Sequence, residues 1–378
     1  MTSGAVCGPG DGEVRFLRPG KAGLLKHAAE ARLAECVSPS LPAAATGGRP
    51  LQPSPYEQNS SLALIPVLTS VASATYTFNE YISAEGYAVG SYVVNDPAGA
   101  RETSTFLKGA PLTDSAFLAL NGKYKDLSAK VGAVFLPGKW EQNYDSAAGI
   151  RDAYLTYTAG PVAITGGKFN TLLGYEYTDP IYNYFPDYSS SLYDGGYHTG
   201  LKVEYVGEGF GAGFAAVDSV NAESLTESFY QGDGEFDRDI GYEIYATFTG
   251  VKDLTVWTGV ALENVDDAGA TDVFSSVTWA SYNVTEKLTV AGEFSYMDEV
   301  TNYGWQALAN YAFTKHVSAA ARVSGADYCD GTADEVKYSF APTYTINDYA
   351  SLRVGVSFTD RSDDSREMLY VAQALLKF

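Results

Sequence analysis

The sequence predicts an all-β protein, a transmembrane antiparallel up-and-down β-barrel of about sixteen strands, within a range of about 14–18. Three observations predict it. The chain ends in a two-faced strand that closes on phenylalanine. Its connections alternate between short turns and long polar loops. Ionisable residues sit opposite apolar rows inside the strands. In the last stretch, Glu367–Phe378, one row holds Met368, Tyr370, Ala372, Ala374, Leu376 and Phe378, and the other holds Glu367, Gln373 and Lys377, with Leu369, Val371 and Leu375 as exceptions. Period two marks a strand with two different faces. Aromatic residues at both ends of the outer row fit a lipid-facing strand with interfacial girdles.

This segment resembles the C-terminal signal by which bacterial outer-membrane barrels are recognised for assembly. Tyr370, Leu376 and Phe378 are its expected signal residues, and the barrel-assembly machinery is the expected partner. The competing reading is an amphipathic edge strand of a soluble β-protein.

Composition agrees with a β-fold: 29 Tyr and 38 Gly stand beside only 3 Met in 378 residues. No run of about 20 apolar residues occurs, so a membrane-spanning helix is excluded, whereas barrel strands expose only alternate residues to lipid. A net charge of −21 argues against nucleic acid as a partner. Cys7, Cys36 and Cys329 form no CxxC pair and no disulfide framework.

Residues 1–57 are rich in Pro, Gly, Ala and Arg and lack period-two alternation, and they read as a non-native or disordered extension. Residues 58–74 read as a signal peptide: SLALIPVLTSVASA is apolar and ends in Ala72-Ser73-Ala74, although Glu57 and the absence of a nearby lysine depart from the usual basic start. The barrel is expected over 75–378. Residues 1–74 hold 6 Lys and Arg and 5 Asp and Glu, so the remainder keeps 19 basic against 41 acidic residues. The acidity belongs to the barrel.

Strands are expected at 82–94, 114–124, 127–136, 151–158, 162–169, 199–206, 210–218, 240–250, 254–263, 272–283, 288–298, 305–314, 317–327, 335–346, 350–360 and 367–378. The short turns between them include Lys123–Asp126, Ala159–Pro161, Gly207–Gly209, Val251–Asp253, Thr285–Lys287 and Thr314–His316. Every other connection is long and acidic or rich in tyrosine. Short turns on one side and long loops on the other are the layout of an outer-membrane barrel, and a soluble sandwich has no reason to sort its loops so cleanly.

Two-sided patterns recur along the chain. Ala129, Val131, Ala133 and Phe135 oppose Ser128 and Lys130. Leu201, Val203 and Tyr205 oppose Lys202 and Glu204. Leu352, Val354, Val356 and Phe358 oppose Arg353. A Lys or Arg facing lipid costs about 2–4 kcal/mol near the midplane, so these charges are expected in a wet lumen. A soluble barrel would need the reverse, an apolar inside and a polar outside.

Gly167-Lys168-Phe169, the Gly174-Tyr175-Glu176 step and His198-Thr199-Gly200 resemble, in order and spacing, the OmpL-like β-barrel porins. The motifs cover about 55 residues, from Arg151 to Tyr205. The resemblance implies an outer-membrane barrel conducting small solutes and carries no particular substrate. Within the stretch, strict alternation from Val162 places Lys168 on the lipid face. A β-bulge at Gly166-Gly167 is therefore expected, turning Thr165 and Lys168 inward and Ile164 and Phe169 outward.

Asn170 to Tyr197 is the third long connection. By analogy with general porins it is expected to fold into the pore as a constriction, with Glu176, Asp179, Tyr182, Tyr184, Asp187, Tyr188 and Asp194 as its key residues. Opposing wall residues would be Lys130, Lys168, Lys202, Glu204, Arg322, Lys337 and Arg353, setting a transverse field that sorts solutes by charge and size. The tyrosines offer flat faces to sugars or aromatic solutes.

No catalytic residues, metal ligands or cofactor are expected. His27, His198 and His316 are few for a metal site, and no serine shows a nucleophile-elbow context, although His198 lies near Ser191 and Asp194. The acidic runs Gly232–Asp239, NVDDAGATD and TDRSDD read as solvated surface, with bridging to lipopolysaccharide through divalent ions as the other reading.

The expected function is a porin, a water-filled channel for passive diffusion of small hydrophilic solutes in the outer membrane, with a weak preference for cations. Outer-membrane lipid and lipopolysaccharide are the expected surroundings. A homotrimer stays open, since no residue marks an interface. The rival readings are a barrel receptor or adhesin with a plugged lumen, a barrel hydrolase and a soluble secreted β-protein.

Overall fold

Period two, carried through strand after strand, leaves an antiparallel sheet with one apolar and one polar face, and closing that sheet hides the polar one. The computed structural model describes residues 75–99, 101–106, 115–135, 148–177, 179–189, 196–220, 240–263, 273–298, 301–328 and 332–378. The expected extension 1–57, the signal 58–74, Ser191, Asp194 and the acidic runs at 232–239 and 264–272 lie outside the described residues.

The strands are β1 (Thr75–Thr77), β2 (Ile82–Pro97), β3 (Thr103–Phe106), β4 (Ser115–Tyr124), β5 (Leu127–Phe135), β6 (Ala148–Ala159), β7 (Val162–Asn170), β8 (Tyr197–Val206) and β9 (Phe210–Val217). There follow β10 (Gly241–Phe248), β11 (Leu254–Glu263), β12 (Val273–Thr285), β13 (Leu288–Met297), β14 (Thr301–Ala312), β15 (Val317–Tyr328), β16 (Glu335–Asn347), β17 (Ala350–Arg361) and β18 (Arg366–Lys377).

All pairings are antiparallel between neighbours, and β18 returns to pair with β2 from Lys377↔Tyr87 to Glu367↔Pro97, which closes the barrel. β3 and β4 lie end to end along one edge of β2, so they count as one interrupted strand, and β1 is a short addition beside Ser83–Glu85. The result is a sixteen-stranded barrel whose strands match the expected segments to within a few residues.

Left-handed backbone at Lys125 (φ 55) and Gly160 (φ 59) makes two of the short turns tight. The seam is sealed at the terminus. Phe378 exchanges both backbone hydrogen bonds with Gly86, at 2.9 Å each, and a Cβ on Gly86 would stand 2.6 Å from the Phe378 ring. Tyr370, Leu376 and Phe378 are all exposed.

Alternation gives the wall two faces. Val131, Leu201, Val203, Ile244, Phe340, Leu352 and Val354 are exposed, while Glu204, Glu243, Arg322, Arg353, Ser339 and Ser357 are buried. The exposed row is the lipid face of an outer-membrane barrel, with Tyr124, Tyr157, Tyr282 and Tyr311 near the short turns as girdle residues.

One expectation is corrected. The ladders from β7 to β6 and to β8 run without a register shift through Gly166 and Gly167. Thr165 and Phe169 are both buried on the inner face, so Lys168 lies on the opposite, outer face with Ile164 and is not a pore-wall residue. Gly167 is extended in a way that suits glycine (φ 126), and it lies so close to β6 that a Cβ would meet the Ala153 carbonyl. The bulge occurs next door. The β5–β6 register shifts between Gly132 and Ala133, leaving Arg151 as the extra residue between Asp152 and Ile150. Arg151 and Asp152 are in consequence both buried.

An arginine at the outward-facing Val354 should cost about 2–4 kcal/mol in urea unfolding from lipid vesicles. A loss below about 1 kcal/mol would remove Val354 from the lipid face.

Candidate functional site

The connection from β7 to β8 is anchored inside the barrel through three apolar contacts on three sides of the wall. Leu173 joins Phe169, Tyr245, Trp257, Val277 and Trp279. Ile181 packs against the cluster of Tyr87, Phe117, Val134 and Leu375. Phe185 sits with Ala291, Leu308, Ala320 and Ala341. Small residues make the sockets, as a Cβ on Gly259 would strike Leu173 and one on Gly355 would strike Pro186.

The lumen carries aromatic residues beside the charges expected there. Inward positions of β10, β11 and β12 carry Tyr245, Trp257 and Trp279, which stack in sequence at centroid separations of 5.5 and 6.1 Å. Tyr175 of the loop meets Trp279 edge-on at 5.3 Å.

Polar contacts follow the direction of the loop backbone. The wall supplies carboxylates where the loop offers N–H groups. Glu243 accepts from Leu172 N at 2.9 Å and from the Thr171 hydroxyl, and Glu293 accepts from Tyr175 N at 3.3 Å and Gln306 Nε2 at 2.8 Å. Further along, the wall supplies cations where the loop offers oxygens. Arg322 donates to Glu176, to the Asp187 and Tyr188 carbonyls at 3.2 and 3.0 Å, and to Ser339 at 3.2 Å, and it lies 3.3 Å from the Asp187 carboxylate. Its guanidinium covers the Phe185 ring at 4.4 Å. Lys337 reaches the Tyr188 carbonyl at 3.0 Å and Asp187 at 3.6 Å. Arg353 donates to the Pro180 and Phe185 carbonyls at 3.4 and 3.1 Å and to Gln373 at 3.2 Å.

A third hold is at the loop tip. Arg151 pairs with Asp179, donates to Asp152 at 2.9 Å and lies 3.4 Å over the Phe117 ring. The Tyr87 hydroxyl donates to Asp179 at 2.7 Å.

The loop is also braced from within. Glu176 accepts from Ser189 N at 2.8 Å and from its hydroxyl at 2.6 Å, and Asn183 Oδ1 accepts from Tyr177 N at 2.9 Å. Asp187 accepts from Ser357 at 2.8 Å. Tyr182 lies at 5.5 Å from Tyr177, and Tyr184 packs at the edge of the Phe185 cluster. Burial pushes the Tyr182 phenol up to about 12, with Asp179 adding to it, so it remains a neutral donor at ordinary pH.

The expected wall residues divide. Arg322, Lys337 and Arg353 hold the loop. Lys130 pairs instead with Glu85 at 2.7 Å, and Lys202 with Glu204 at 3.1 Å. The picture of loop carboxylates facing wall cations across a gap is corrected, because Glu176, Asp179 and Asp187 are in contact with their cations.

Sequence reading missed Arg151, Glu243, Glu293 and Tyr87. Glu243 was legible in the alternation Gly241, Glu243, Tyr245, Thr247 against Tyr242, Ile244, Phe248. Arg151 was hidden by its bulge. His198 is buried 3.5 Å from Glu243 on the inner wall. His316 lies at a short turn, its Nδ1 2.8 Å from the Thr345 carbonyl. Among the described residues no group of three or more His, Cys, Asp or Glu is placed to hold a metal.

A closed sixteen-stranded barrel with an apolar belt, a charged interior and an inward-folded third long loop defines the class of outer-membrane porins. The family described as "Putative beta-barrel porin-2, OmpL-like" matches over residues 113–370, more than half of the chain, and the chain belongs to that family. Solved structures share the fold. OprB of Pseudomonas putida superposes with a TM-score of 0.62 at 10% identity, covering 79% of this chain and 94% of that one. OmpF of Salmonella typhi, solved with daunomycin, gives 0.54 at 13% identity, covering 80% and 100%. The outer-membrane channel DcaP of Acinetobacter baumannii gives 0.53 at 13% identity, covering 79% and 97%. Among curated proteins no sequence matches. The protein resides in the bacterial outer membrane.

Arg322, with its side chain 0% exposed, and Lys337, at 18%, make a clear comparison. Arg322→Ala strips Glu176 of its cation and Asp187 of one of its two, and should cost about 3–5 kcal/mol in unfolding, with faster proteolytic nicking of the loop. Lys337→Ala should cost about 1 kcal/mol.

Proposed function

We propose that the barrel is a water-filled channel for passive diffusion of small hydrophilic solutes, narrowed by the loop between β7 and β8. The observation that carries this reading is the hold of Arg322 on Glu176 and Asp187, which fastens that loop to an inner wall on the far side of the barrel from its root. Preorganised charge at a narrowing sorts solutes by size and sign. Glu176, Asp179, Tyr182, Tyr184, Asp187 and Tyr188 belong to the loop that makes the narrowing, and Arg322, Lys337 and Arg353 hold that loop in place.

A weak preference for cations is supported by the acidity of residues 75–378, with 19 basic against 41 acidic residues. Arg322, Lys337 and Arg353 on β15 to β17 give the lumen a basic side. The exposed terminal row Tyr370, Leu376 and Phe378 supports recognition by the assembly machinery. Lipopolysaccharide is the natural neighbour of an outer-membrane rim, and a homotrimer is the assembly common among barrels of this size.

The three apolar anchors of the loop favour a second reading, a receptor or adhesin barrel with its lumen plugged. Conductance separates the two. The refolded chain in a planar bilayer should give stable open steps, with a reversal potential of cation sign under a salt gradient. A barrel that inserts and stays silent overturns the channel. Deleting residues 180–189 should raise the conductance several-fold, and unchanged conductance would remove the loop from the pore.

A further inference from the structure

We propose that solutes pass off-centre, through a cleft between the loop tip and the wall formed by β2, β4 and β5, where Glu85 and Lys130 are the residues that meet them. The proposal rests on the channel reading and names its route. On the β10–β17 side the loop is pressed against the wall. Glu243 and Arg322 have side chains 0% exposed, Pro186 fills the space over Gly355, and Leu173 fills that over Gly259. No solute passes between surfaces in contact.

Among the described residues, the loop meets the β2–β5 side through its tip, at Asp179, Ile181 and Tyr182. Glu85 and Lys130 remain 22% and 19% exposed at the side chain although both belong to inner rows. A cleft opens there, bordered by Glu85, Lys130, Arg151 and Lys377 on the wall and by Asp179 and Tyr182 on the tip.

Physical chemistry gives each border group a task. The Glu85–Lys130 pair is partly exposed where the Glu243 and Arg322 side chains are sealed, so a passing dipole reaches both of its charges. A polar solute, neutral or zwitterionic, finds an acceptor and a donor there, 2.7 Å apart. Tyr182 sets the width as a neutral, flat side chain. Arg151, gripping Asp179 and braced by Tyr87 and Phe117, fixes how far the tip stands off the wall.

The test is chemical block of the open channel. In the full chain with Cys7, Cys36 and Cys329 changed to serine, Glu85→Cys and Lys130→Cys are placed in planar bilayers and treated with the cationic thiol reagent methanethiosulfonate ethyltrimethylammonium. Ser339→Cys, beneath the docked loop and 6% exposed, is the control. The expected result is a large fall in conductance for the first two and none for the control. Block at Ser339→Cys with none at Glu85→Cys or Lys130→Cys overturns the route, and so does equal block at all three. A silent cysteine-free parent defeats the channel reading instead, so the two failures are distinct. Adding Asp179→Ala frees the tip and should reduce the block at Glu85→Cys severalfold. If the block is as deep with the tip freed, the width is not set by Arg151 and Asp179, and that part of the proposal falls.

Discussion

The inner wall of this barrel carries charges that would each cost several kcal/mol if buried without partners, and the loop between β7 and β8 supplies those partners. Carboxylates on β10 and β13 take the N–H groups of its first limb. Cations on β15, β16 and β17 take the carbonyls and carboxylates of its second limb. The backbone is a donor on one side and an acceptor on the other, and the wall mirrors that polarity. Ion pairing and backbone satisfaction are thus one arrangement, and Arg322 takes part in both.

Apolar contacts fix where this polar match can form. Leu173, Ile181 and Phe185 enter separate clusters around the lumen, so the loop is located at three points before any charge is satisfied. Gly259 and Gly355 leave the depth these residues and Pro186 need. The stacked Tyr245, Trp257 and Trp279 give one side of the lumen a stiff floor, since aromatic rings fill volume with few rotatable bonds.

The wall was largely legible. Leu201 and Val203 against Lys202 and Glu204, or Leu352 and Val354 against Arg353, declare their faces by alternation because a strand has only two. The loop residues Glu176, Asp179 and Asp187 were legible as a set by composition, and Arg322, Lys337 and Arg353 by facing. Lys168 was misassigned because a bulge was inferred from a pair of glycines. Gly167 instead admits a close approach of β6 to β7, and the bulge falls at Arg151. A bulge adds a residue to one strand relative to its neighbour, and a single sequence does not display its neighbour.

What the sequence determined by itself is the closed, two-faced barrel in the outer membrane. Period two, the sorting of turns from loops and the terminal aromatic strand are local signals repeated along the chain, and lipid allows unpaired strand edges nowhere. Only the tertiary structure decided which charges meet. Arg151 finds Asp179 and Arg322 finds Glu176 across 28 and 146 residues of chain, and those encounters depend on loop depth, glycine sockets and register together. Such long-range contacts leave no spacing to read, because the distance that matters lies across the lumen and not along the chain.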